Sequence, residues 1–329
     1  MVVRIGIVGL GKIGERHLNA YSNIENVEIC GLCDADETLL RKYSTQYGIP
    51  ACDTLEQLFT DKVDAVDICV PTYIHHDIIL KILENGKDFF CEKPLTHKLE
   101  YAYEIKKVVE AYSRIGMVGY LYRFHPCFEL LKDILNKRVI GKPYYAIFRL
   151  GGRGGHRAWK HKMDTGGGAL LDMGTHMLDL ALWYFGKPVE VSLLSSDVVL
   201  KERMIDGEKV EVDAEDCLVI RLKTTDVQIF LIADLITPSF VNTVEVHGDN
   251  GSFFGSIESQ LPTIVYCKEP RDIYKIGENI FHFPMVNLVE KELGHFVECI
   301  RGVGSLRSSV EDSIEVLNII EGVKKQQNE

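Results

Sequence analysis

A glycine pattern near the N-terminus restricts the local fold more than any other feature of the sequence. Residues 2–8 form an apolar, β-like run, and Gly9, Gly11 and Gly14 follow it directly in the spacing G-x-G-x-x-G. In such a unit the first glycine permits a tight turn, the second lets the backbone approach a pyrophosphate, and the third lets the next helix pack on the strand. The pattern therefore predicts a strand–turn–helix unit that binds a dinucleotide.

Two neighbouring features support this interpretation of a pattern that also arises by chance in loops. The first turn of the predicted helix contains Lys12 and Ile13, and backbone N–H groups in a first turn have no intrahelical acceptor and attract phosphates. A second β-like run, 27–33, ends in Asp34, about 20 residues after the last glycine, which is the spacing of the acid that binds the adenosine ribose. We therefore expect all three residues to contact the cofactor.

Asp34 also bears on the choice between NAD and NADP. A carboxylate against the ribose accepts hydrogen bonds from two hydroxyls and repels a 2′-phosphate, and no arginine or lysine follows Asp34 immediately. The sequence therefore favours NAD, although Arg41 and Lys42 lie near enough in sequence to reach a 2′-phosphate. Asp34 is equally placed to be the N-cap of the helix predicted to start near Glu37, and it could serve both purposes.

Composition and charge bound the class of protein. The 329 residues are 46% hydrophobic, which is enough for two packed cores, and the formal net charge is −11. Phosphate contacts require clustered Lys and Arg, so this balance argues against nucleic acid or an anionic membrane as a partner. The first residues lack the basic and apolar regions of a signal peptide, and the apolar runs are strand-sized, so we expect a cytoplasmic protein.

Nine cysteines are scattered along the chain, mostly inside apolar β-like runs, and this distribution is typical of reduced core residues. Cys30 and Cys33 form a C-x-x-C, but they lie in one predicted strand, where positions three apart point to opposite faces. No second pair with metal-ligand spacing accompanies them in the sequence. The sequence therefore predicts no metal site.

The first part of the chain alternates between strand and helix, which is typical of βαβ crossovers and a parallel sheet. The predicted strands are 2–8, 27–33, 64–70, 88–91 and 116–121, and the predicted helices are near 13–22, 37–47, 54–60, 76–85 and 97–113. We therefore assign residues 1–121 to a Rossmann domain with a doubly wound parallel sheet, the α/β part of the fold.

The rhythm changes after Tyr122, where the pattern becomes mostly β. A helix near 126–137 leads to a strand at 144–150, a glycine-rich loop at 151–168 and a second helix at 169–185. The later elements are strands near 189–199, 209–212, 216–224, 227–236, 241–247, 252–257 and 263–267 and helices near 286–301 and 309–324. Residues 122–329 are therefore predicted to form a second, α+β domain with a mostly antiparallel sheet, whose open face would serve as an oligomer interface.

Three segments outside the glycine pattern carry side chains suited to chemistry. The run Pro71-Thr72-Tyr73-Ile74-His75 follows one predicted strand and Glu92-Lys93-Pro94 follows the next, so both are expected at the carboxyl edge of the parallel sheet, where ligands bind. The third segment, residues 166–176, holds Asp172 and His176 at i and i+4, which predicts that they share one helix face.

Taken together, these segments resemble the Gfo/Idh/MocA oxidoreductases, the family of glucose–fructose oxidoreductase and inositol dehydrogenase. The resemblance rests on the glycine pattern at 9–14, Pro71 with His75 four residues later, Glu92-Lys93-Pro94, and G-G-G-x-L-x-D-x-G-x-H at 166–176. It implies a Rossmann domain, a C-terminal domain with a large open sheet used for dimers or tetramers, and NAD(P)-dependent redox chemistry on sugars, cyclitols or nucleotide sugars.

The resemblance also implies catalytic residues. Lys93 matches the family lysine that contacts the reacting oxygen, and Asp172 and His176 match its aspartate and histidine. Oxidation of a secondary alcohol removes a hydride and a proton, and a histidine, with an ordinary pKa of about 6.5, is well matched to accept that proton. Lys93 is expected to stabilise the developing alkoxide or relay the proton, and Asp172 to orient His176 or substrate hydroxyls.

Other positions match the family more loosely as cofactor contacts. Pro71, Thr72 and His75 match the segment that lines the ribose and nicotinamide, and Glu92 matches the acid before the lysine. His75 is equally placed to cap its helix. A family tryptophan that packs beside the nicotinamide is matched by Trp159.

Two basic segments are candidate substrate contacts. Arg123 lies in the segment that enters the second domain, and in the family it often lies near cofactor and substrate. His156 and Arg157 belong to a basic loop, 153–162, whose charge suits a phosphorylated or carboxylated sugar such as a nucleotide sugar. A solvated surface loop would show the same composition.

Several other interpretations stay open at the level of sequence. Asp172 and His176 could form a surface pair worth a few tenths of a kcal/mol, and Lys93 could be a solvated lysine. A metal at Asp172 and His176 would need a third ligand, for which Asp179 and His161 are available.

The sequence therefore predicts an NAD-dependent oxidoreductase that acts on a secondary hydroxyl or ketone of a sugar, cyclitol or nucleotide sugar, assembled as a homodimer or homotetramer through the C-terminal sheet. One alternative is an NAD-assisted glycosidase of the same fold, which would release free sugar without net NADH. Another is a non-catalytic NAD-binding sensor, against which the complete set of Lys93, Asp172 and His176 argues.

Overall fold

The chain folds into two compact units. The computed structural model describes residues 1–152, 157–163, 166–205, 207–237 and 242–327. The first unit comprises Met1–Leu121 and Asn287–Ile314, and the second comprises Tyr122–Val286 and Glu315–Glu329. The chain therefore leaves the first unit, returns to it near the C-terminus, and leaves it again.

A five-stranded parallel sheet forms the centre of the first unit. Its strands are β1 (Val3–Val8), β2 (Val27–Cys33), β3 (Ala65–Ile68), β4 (Asp88–Glu92) and β5 (Gly116–Gly119). They lie in the order β2-β1-β3-β4-β5, and every neighbouring pair is parallel. The direction of winding reverses between β1 and β3, so their carboxyl ends form the switch point at which doubly wound sheets bind ligands.

Four helices connect these strands. They are α1 (Lys12–Tyr21), α2 (Glu37–Tyr47), α3 (His75–Glu84) and α4 (Leu99–Tyr112). The ends of α2 show how local sequence sets the boundaries: the Asp36 side chain accepts the first N–H groups, and Gly48 ends the helix with φ of +67°. All four residues of β3 are buried, as expected for a parallel strand covered by helices on both faces.

A mixed eight-stranded sheet forms the centre of the second unit. The strands of this unit are β6 (Pro143–Gly151), β7 (Glu190–Asp197), β8 (Glu202–Ile205), β9 (Glu208–Glu211), β10 (Cys217–Lys223), β11 (Gln228–Asp234), β12 (Thr243–Gly248), β13 (Gly251–Ser256), β14 (Thr263–Cys267) and β15 (Gly277–Phe281). The large sheet has the order β15-β14-β13-β12-β6-β11-β10-β7, and β8 pairs with β9 in a separate hairpin. Its pairs are antiparallel except β6 with β11.

The strands of this sheet alternate between a buried and an open face. In β10, Leu218, Ile220 and Leu222 are buried, whereas the residues between them are half-buried or exposed. The buried face packs against helices, as the contacts of α6 with β6 and β11 show. The other face carries half-buried apolar side chains such as Ile147 and Phe230.

The described residues contain four further α-helices. They are α5 (Pro126–Asn136), α6 (Thr175–Phe185), α7 (Leu288–Ile300) and α8 (Val310–Gln327). Helix α7 belongs to the first unit, where it packs against α1 and brings Phe296 within 5.7 Å of the Phe90 ring. Among the described helices, none is both long enough and apolar enough to cross a membrane.

The observed fold confirms the predicted class: a parallel Rossmann sheet followed by a large, mostly antiparallel sheet. The structure differs from the predicted elements in three places. The segment 287–314 belongs to the first unit and not to the second. The helix predicted at 54–60 is a single 3-10 turn, Leu55–Leu58, and strands β8 and β15 had not been predicted. Both strands are short and half exposed, so they lack the continuous apolar run that reveals a buried strand.

Candidate functional site

Two glycines of the N-terminal pattern are required by the chain itself. Gly9 has φ of +92°, a region that glycine adopts without strain, and a Cβ there would lie 2.7 Å from the carbonyl carbon of Cys69. A Cβ on Gly14 would lie 1.9 Å from the carbonyl oxygen of Gly9. Helix α1 therefore approaches the turn after β1 more closely than any side chain would allow.

The fold itself does not require a glycine at Gly11. Among the described atoms, none lies within 4 Å of the place that its Cβ would take. Gly11 is also the N-cap of α1, and the first N–H groups of that helix, around the exposed Lys12 and Ile13, have no intrahelical acceptor. Open space beside a helix N-terminus fits the pyrophosphate of a dinucleotide.

Asp34 follows β2 and is half-buried beside the same turn. Its Oδ2 accepts the backbone N–H of Leu10 at 2.5 Å, and its Oδ1 accepts the N–H of Asp36 at 2.7 Å. The N-cap of α2 is Asp36, so the alternative that Asp34 caps this helix is wrong. Each Asp34 oxygen retains a second lone pair, which suits it to the two hydroxyls of an adenosine ribose.

His75 lies at the start of α3 and is buried. Its ring nitrogens lie within 3.2 Å of the carbonyl oxygens of Val70, Pro94 and Leu95. Burial lowers the pKa of this histidine, which favours the neutral ring. With 1% of its surface exposed, the His75 side chain joins the segment after β3 to the segment after β4. The N-cap of α3 is Ile74, so the alternative that His75 caps this helix is wrong. The cofactor contact expected of His75 stays a prediction.

Lys93 follows β4, at the same carboxyl edge of the sheet as the glycine pattern. The preceding Glu92 holds the chain there: its Oε1 lies 3.0 Å from Nε2 of His17, and its Oε2 accepts the Lys93 backbone N–H at 3.3 Å. Pro71 and Thr72, which follow β3, lie at this edge too and are exposed and half-buried respectively. One edge of the first unit thus gathers the cofactor pattern and the candidate catalytic lysine.

His17 lies between two carboxylates in the interior. Its Nδ1 is 2.8 Å from Oδ2 of Asp67, and its Nε2 faces Glu92. Burial disfavours the charged ring, but the Asp67 carboxylate more than offsets this and raises the pKa of His17 well above its ordinary value. Burial likewise opposes ionisation of Glu92, yet the hydrogen bond from His17 keeps the pKa of Glu92 below its ordinary value. His17 and Glu92 are therefore both charged near neutral pH.

The same residues include two groups whose spacing could hold a metal ion, although the sequence predicted no metal site. They are His17 with Asp67 and Cys69, and His17 with Glu92 and Glu292, each with ligand atoms within 4.8 Å of one another. In the first group burial raises the pKa of the Cys69 thiol, so a metal that bound there would have to displace its proton. Sequence patterns could not reveal either group, because its members come from separate elements.

In the second unit, Asp172 and His176 lie on a helix that is not regular. Residues Leu170–Gly174 form a π-helical turn, and α6 begins only at Thr175. The four residues from Asp172 to His176 therefore span a π turn, which is wider than an α turn, and that the two side chains share one face stays a prediction. The Nζ of Lys160 lies 2.6 Å from Oδ2 of Asp172, a partner that the sequence did not suggest.

A neighbouring acid fixes the start of this segment. Gly168 has φ of +111°, and a Cβ there would lie 2.4 Å from a carboxylate oxygen of Glu215. That carboxylate accepts the backbone N–H of Leu170 at 3.0 Å. The glycine run thus lets the chain enter the π turn against Glu215. His176, which follows that turn, is 8% exposed, and its ring centroid lies 4.8 Å from that of Tyr122.

Arg123 does not fit its predicted role as a substrate contact. Its guanidinium forms a buried pair with Asp179, with Nε 3.0 Å and 3.1 Å from the two carboxylate oxygens and Nη2 2.6 Å from Oδ1. The two side chains are 2% and 1% exposed. Arg123 therefore supports α6 from within the second unit, and Asp179 is occupied by it and is not a spare metal ligand.

The basic loop is only partly described. Arg157 and Trp159 are exposed, Trp159 by 47%, and the Lys160 ammonium lies 5.8 Å from the centre of the Trp159 ring. The predicted substrate contact His156 lies outside the described residues. The other candidate metal ligand, His161, is 1% exposed.

The family sequence profiles of the Gfo/Idh/MocA oxidoreductases match most of the chain. The profile described as an oxidoreductase family with an NAD-binding Rossmann fold matches residues 3–120, and the profile of the family's C-terminal domain matches residues 128–254. The predicted resemblance and the predicted NAD-binding domain are thereby confirmed.

Individual relatives and structures agree with these matches. The chain is 30% identical over 309 residues to scyllo-inositol 2-dehydrogenase (NAD(+)) of Bacillus subtilis, covering 91% of this chain and 86% of the relative. It is 27% identical over 275 residues to myo-inositol 2-dehydrogenase of Thermotoga maritima, covering 82% and 80%. The crystal structure of a levoglucosan dehydrogenase with NADH and levoglucosan superposes with a TM-score of 0.88 at 20% identity, covering 99% and 97%. The chain belongs to the Gfo/Idh/MocA family of NAD-binding oxidoreductases.

Proposed function

We propose that this protein is an NAD-dependent dehydrogenase that transfers a hydride between nicotinamide and a secondary hydroxyl or ketone of a sugar, cyclitol or nucleotide sugar. The observation that carries the proposal is the position of Lys93 directly after β4, at the sheet edge that also holds the glycine pattern. The two inositol dehydrogenases and the levoglucosan dehydrogenase that the chain resembles support this substrate class by their names.

Lys93 acts on the oxygen of the reacting carbon. When the cofactor is bound, its nicotinamide ring takes up or supplies the hydride. The Lys93 ammonium stabilises negative charge on the substrate oxygen as its proton leaves, an effect that is strong where water is excluded. Glu92 keeps the Lys93 main chain in place through its bond to the backbone N–H.

His176 is the base that removes the hydroxyl proton. It is the residue type with an ordinary pKa nearest the working pH, and it lies almost fully buried beside Tyr122. Asp172 orients substrate hydroxyls, and its ion pair with Lys160 holds the carboxylate group in place. The exposed Arg157 and Trp159 contact the outer part of the substrate or cofactor.

Asp34 selects NAD over NADP, and the open face of the large sheet joins copies of the chain. The Asp34 carboxylate follows β2 and would lie close to the 2′-phosphate of NADP, which it would repel. The half-buried apolar side chains of the open face, including Ile147 and Phe230, favour a homodimer or homotetramer.

The test is reduction of NAD and of NADP, followed at the nicotinamide absorbance band, with a panel of cyclitols, hexoses and UDP-sugars. We expect NAD to be reduced with at least one substrate of this panel, with the matching ketone as product. NADH binding without turnover on any compound would refute the dehydrogenase assignment, and release of free sugar without net NADH would identify a glycosidase.

A further inference from the structure

A continuous series of hydrogen bonds joins the interior of the first unit to the main chain of Lys93. It runs from Asp67 Oδ2 to His17 Nδ1 at 2.8 Å, from His17 Nε2 to Glu92 Oε1 at 3.0 Å, and from the Lys93 N–H to Glu92 Oε2 at 3.3 Å. Because His17 faces a carboxylate at each ring nitrogen, both nitrogens donate and the ring is protonated. Two hydrogen bonds, both to Glu92, therefore separate the His17 ring from the Lys93 backbone.

A third carboxyl group, that of Glu292, lies beside this series. Glu292, from α7, is fully buried, and among the described residues neither of its oxygens has a hydrogen-bond partner. Its carboxylate lies within 4.8 Å of ligand atoms of His17 and Glu92. Two carboxyl groups this close, of which one is fully buried and the other half-buried, disfavour ionisation of both, because like charges repel more strongly away from water. Burial, and then the charge of Glu92, raise the pKa of Glu292 well above its ordinary value.

The other titratable and charged groups nearby do not change these ionisation states. Tyr21 lies on α1 one turn after His17, and burial raises the pKa of its hydroxyl well above the ordinary value. Cys69, after β3, stays a thiol for the same reason. Arg16, on α1, is exposed and acts on Glu292 as a nearby positive charge. The charged members of the cluster are thus His17 and the carboxylates of Asp67 and Glu92.

We propose that Asp67, His17 and Glu92 form a positioning relay for Lys93, and that Glu292 completes it as a neutral acid beside Glu92. The relay holds the Lys93 main chain, while the neutral Glu292 leaves the single negative charge of Glu92 free to pair with His17. Helix α7, in the segment Asn287–Ile314 that returns to the first unit, thereby contributes to the positioning of the candidate catalytic lysine. This inference rests on the proposed role of Lys93.

A metal ion bound by His17, Glu92 and Glu292 is the competing explanation of the same geometry. It would require Glu292 to ionise and His17 to lose the proton from Nε2. A metal would also replace the direct His17–Glu92 bond, which the structure shows at 3.0 Å. The two explanations therefore predict opposite effects of replacing Glu292 by its neutral isostere.

Two substitutions of His17 separate the two halves of the relay. The amide nitrogen of His17→Gln can take the place of Nε2 and donate to Glu92, whereas that of His17→Asn can take the place of Nδ1 and donate only to Asp67. We expect His17→Asn to lower kcat by about 10- to 100-fold, the effect of small misplacements in catalytic geometry, and His17→Gln, which keeps the bond to Glu92, to lower it less. Equal losses in both variants, or none in either, would overturn the relay.

Glu292→Gln tests the neutral acid. We expect its kcat at neutral pH to match the wild type, and we expect it to lack the activity loss at high pH that ionisation of Glu292 causes in the wild type. A large loss of kcat at neutral pH would overturn the proposal, as would a stoichiometric divalent metal in the purified wild type, measured by plasma mass spectrometry, that Glu292→Gln lacks.

Hydrogen exchange keeps this test separate from the proposed function. By mass spectrometry of the peptide that contains Lys93, its backbone N–H should exchange faster in His17→Asn than in His17→Gln or the wild type. If no substrate is ever turned over but this difference appears, the proposed function fails and the relay stands. If turnover is found but exchange is identical in all three proteins, the relay fails and the proposed function stands.

Discussion

Replacement of Gly14 by alanine tests whether the glycine pattern is required by the fold or only by the cofactor. The new Cβ would lie 1.9 Å from the carbonyl oxygen of Gly9, and that oxygen belongs to the backbone and cannot rotate away. Helix α1 must then move off the turn after β1. Overpacking of this kind costs about 1–3 kcal/mol, and a backbone obstacle places the change near the upper value. A loss of about 3 kcal/mol lowers the Tm of a domain of this size by about 6–12 °C.

Gly11→Ala is the matched control. Its backbone has φ of −63°, which alanine adopts without strain, and no described atom lies within 4 Å of the new methyl group. Differential scanning calorimetry should therefore give a Tm near that of the wild type for Gly11→Ala and a clearly lower Tm for Gly14→Ala. NADH titration by fluorescence should show weaker binding to Gly11→Ala, because the methyl group occupies the space that suits the pyrophosphate. Equal Tm values for the two variants would refute the reasoning about Gly14, and unchanged NADH affinity of Gly11→Ala would refute the placement of the pyrophosphate.

The remaining predictions concern single residues. Asp34→Ala should shift the ratio of kcat/KM for NAD and NADP toward NADP, and an unaltered ratio would contradict the ribose role. Lys93→Ala should lower kcat by about 10²–10³-fold, as does loss of one oxyanion-stabilising group, while NADH affinity measured by fluorescence stays near the wild type; unchanged turnover would remove Lys93 from the reaction. Arg123→Ala should destabilise the second unit by about 3–5 kcal/mol because Asp179 is left as an uncompensated buried charge, and urea unfolding followed by tryptophan fluorescence would detect it; a change below about 1 kcal/mol would mean that the pair behaves as a surface ion pair. Because the pKa of His17 is raised in the folded state, its protonation stabilises the fold fully below the ordinary pKa, and this stability is lost as pH rises through the folded-state pKa. The free energy of unfolding of the first unit should therefore fall as pH rises through that range. A free energy that does not change with pH there would contradict the charged ring.

Much of the first unit could be predicted from sequence because its signals are local. The strand before Gly9 and the helix after Gly14 follow from an apolar run, a turn and a periodic pattern within 20 residues. The assignment of Asp34 depends in the same way on a fixed spacing from the glycines. The boundaries of the second domain could not be predicted from local patterns. Residues 287–314 belong to the first unit because α7 packs on α1, and this long-range contact has no signal in the local sequence.

The same distinction between local signals and long-range contacts applies to the site residues. Lys93 was expected at the carboxyl edge of the sheet because strand ends in a parallel sheet meet there, and it follows β4 at that edge. Arg123 and His75 carried the right chemistry in the right motifs, but their partners, such as Asp179, come from distant elements and bury them. The role of His17 was missed for the same reason, although its place three residues after Gly14 was a signal: a polar residue on the face of α1 that packs against the sheet needs a buried partner.

The proposed hydride transfer can be followed with an isotope label. A substrate from the panel that is deuterated at its carbinol carbon is incubated with the protein and NAD, and the NADH formed is analysed by mass spectrometry. We expect one deuterium in each NADH and one ketone product for each deuterium transferred. NADH without deuterium, or a changed substrate with no deuterium ever reaching the nicotinamide, would contradict the proposed hydride transfer.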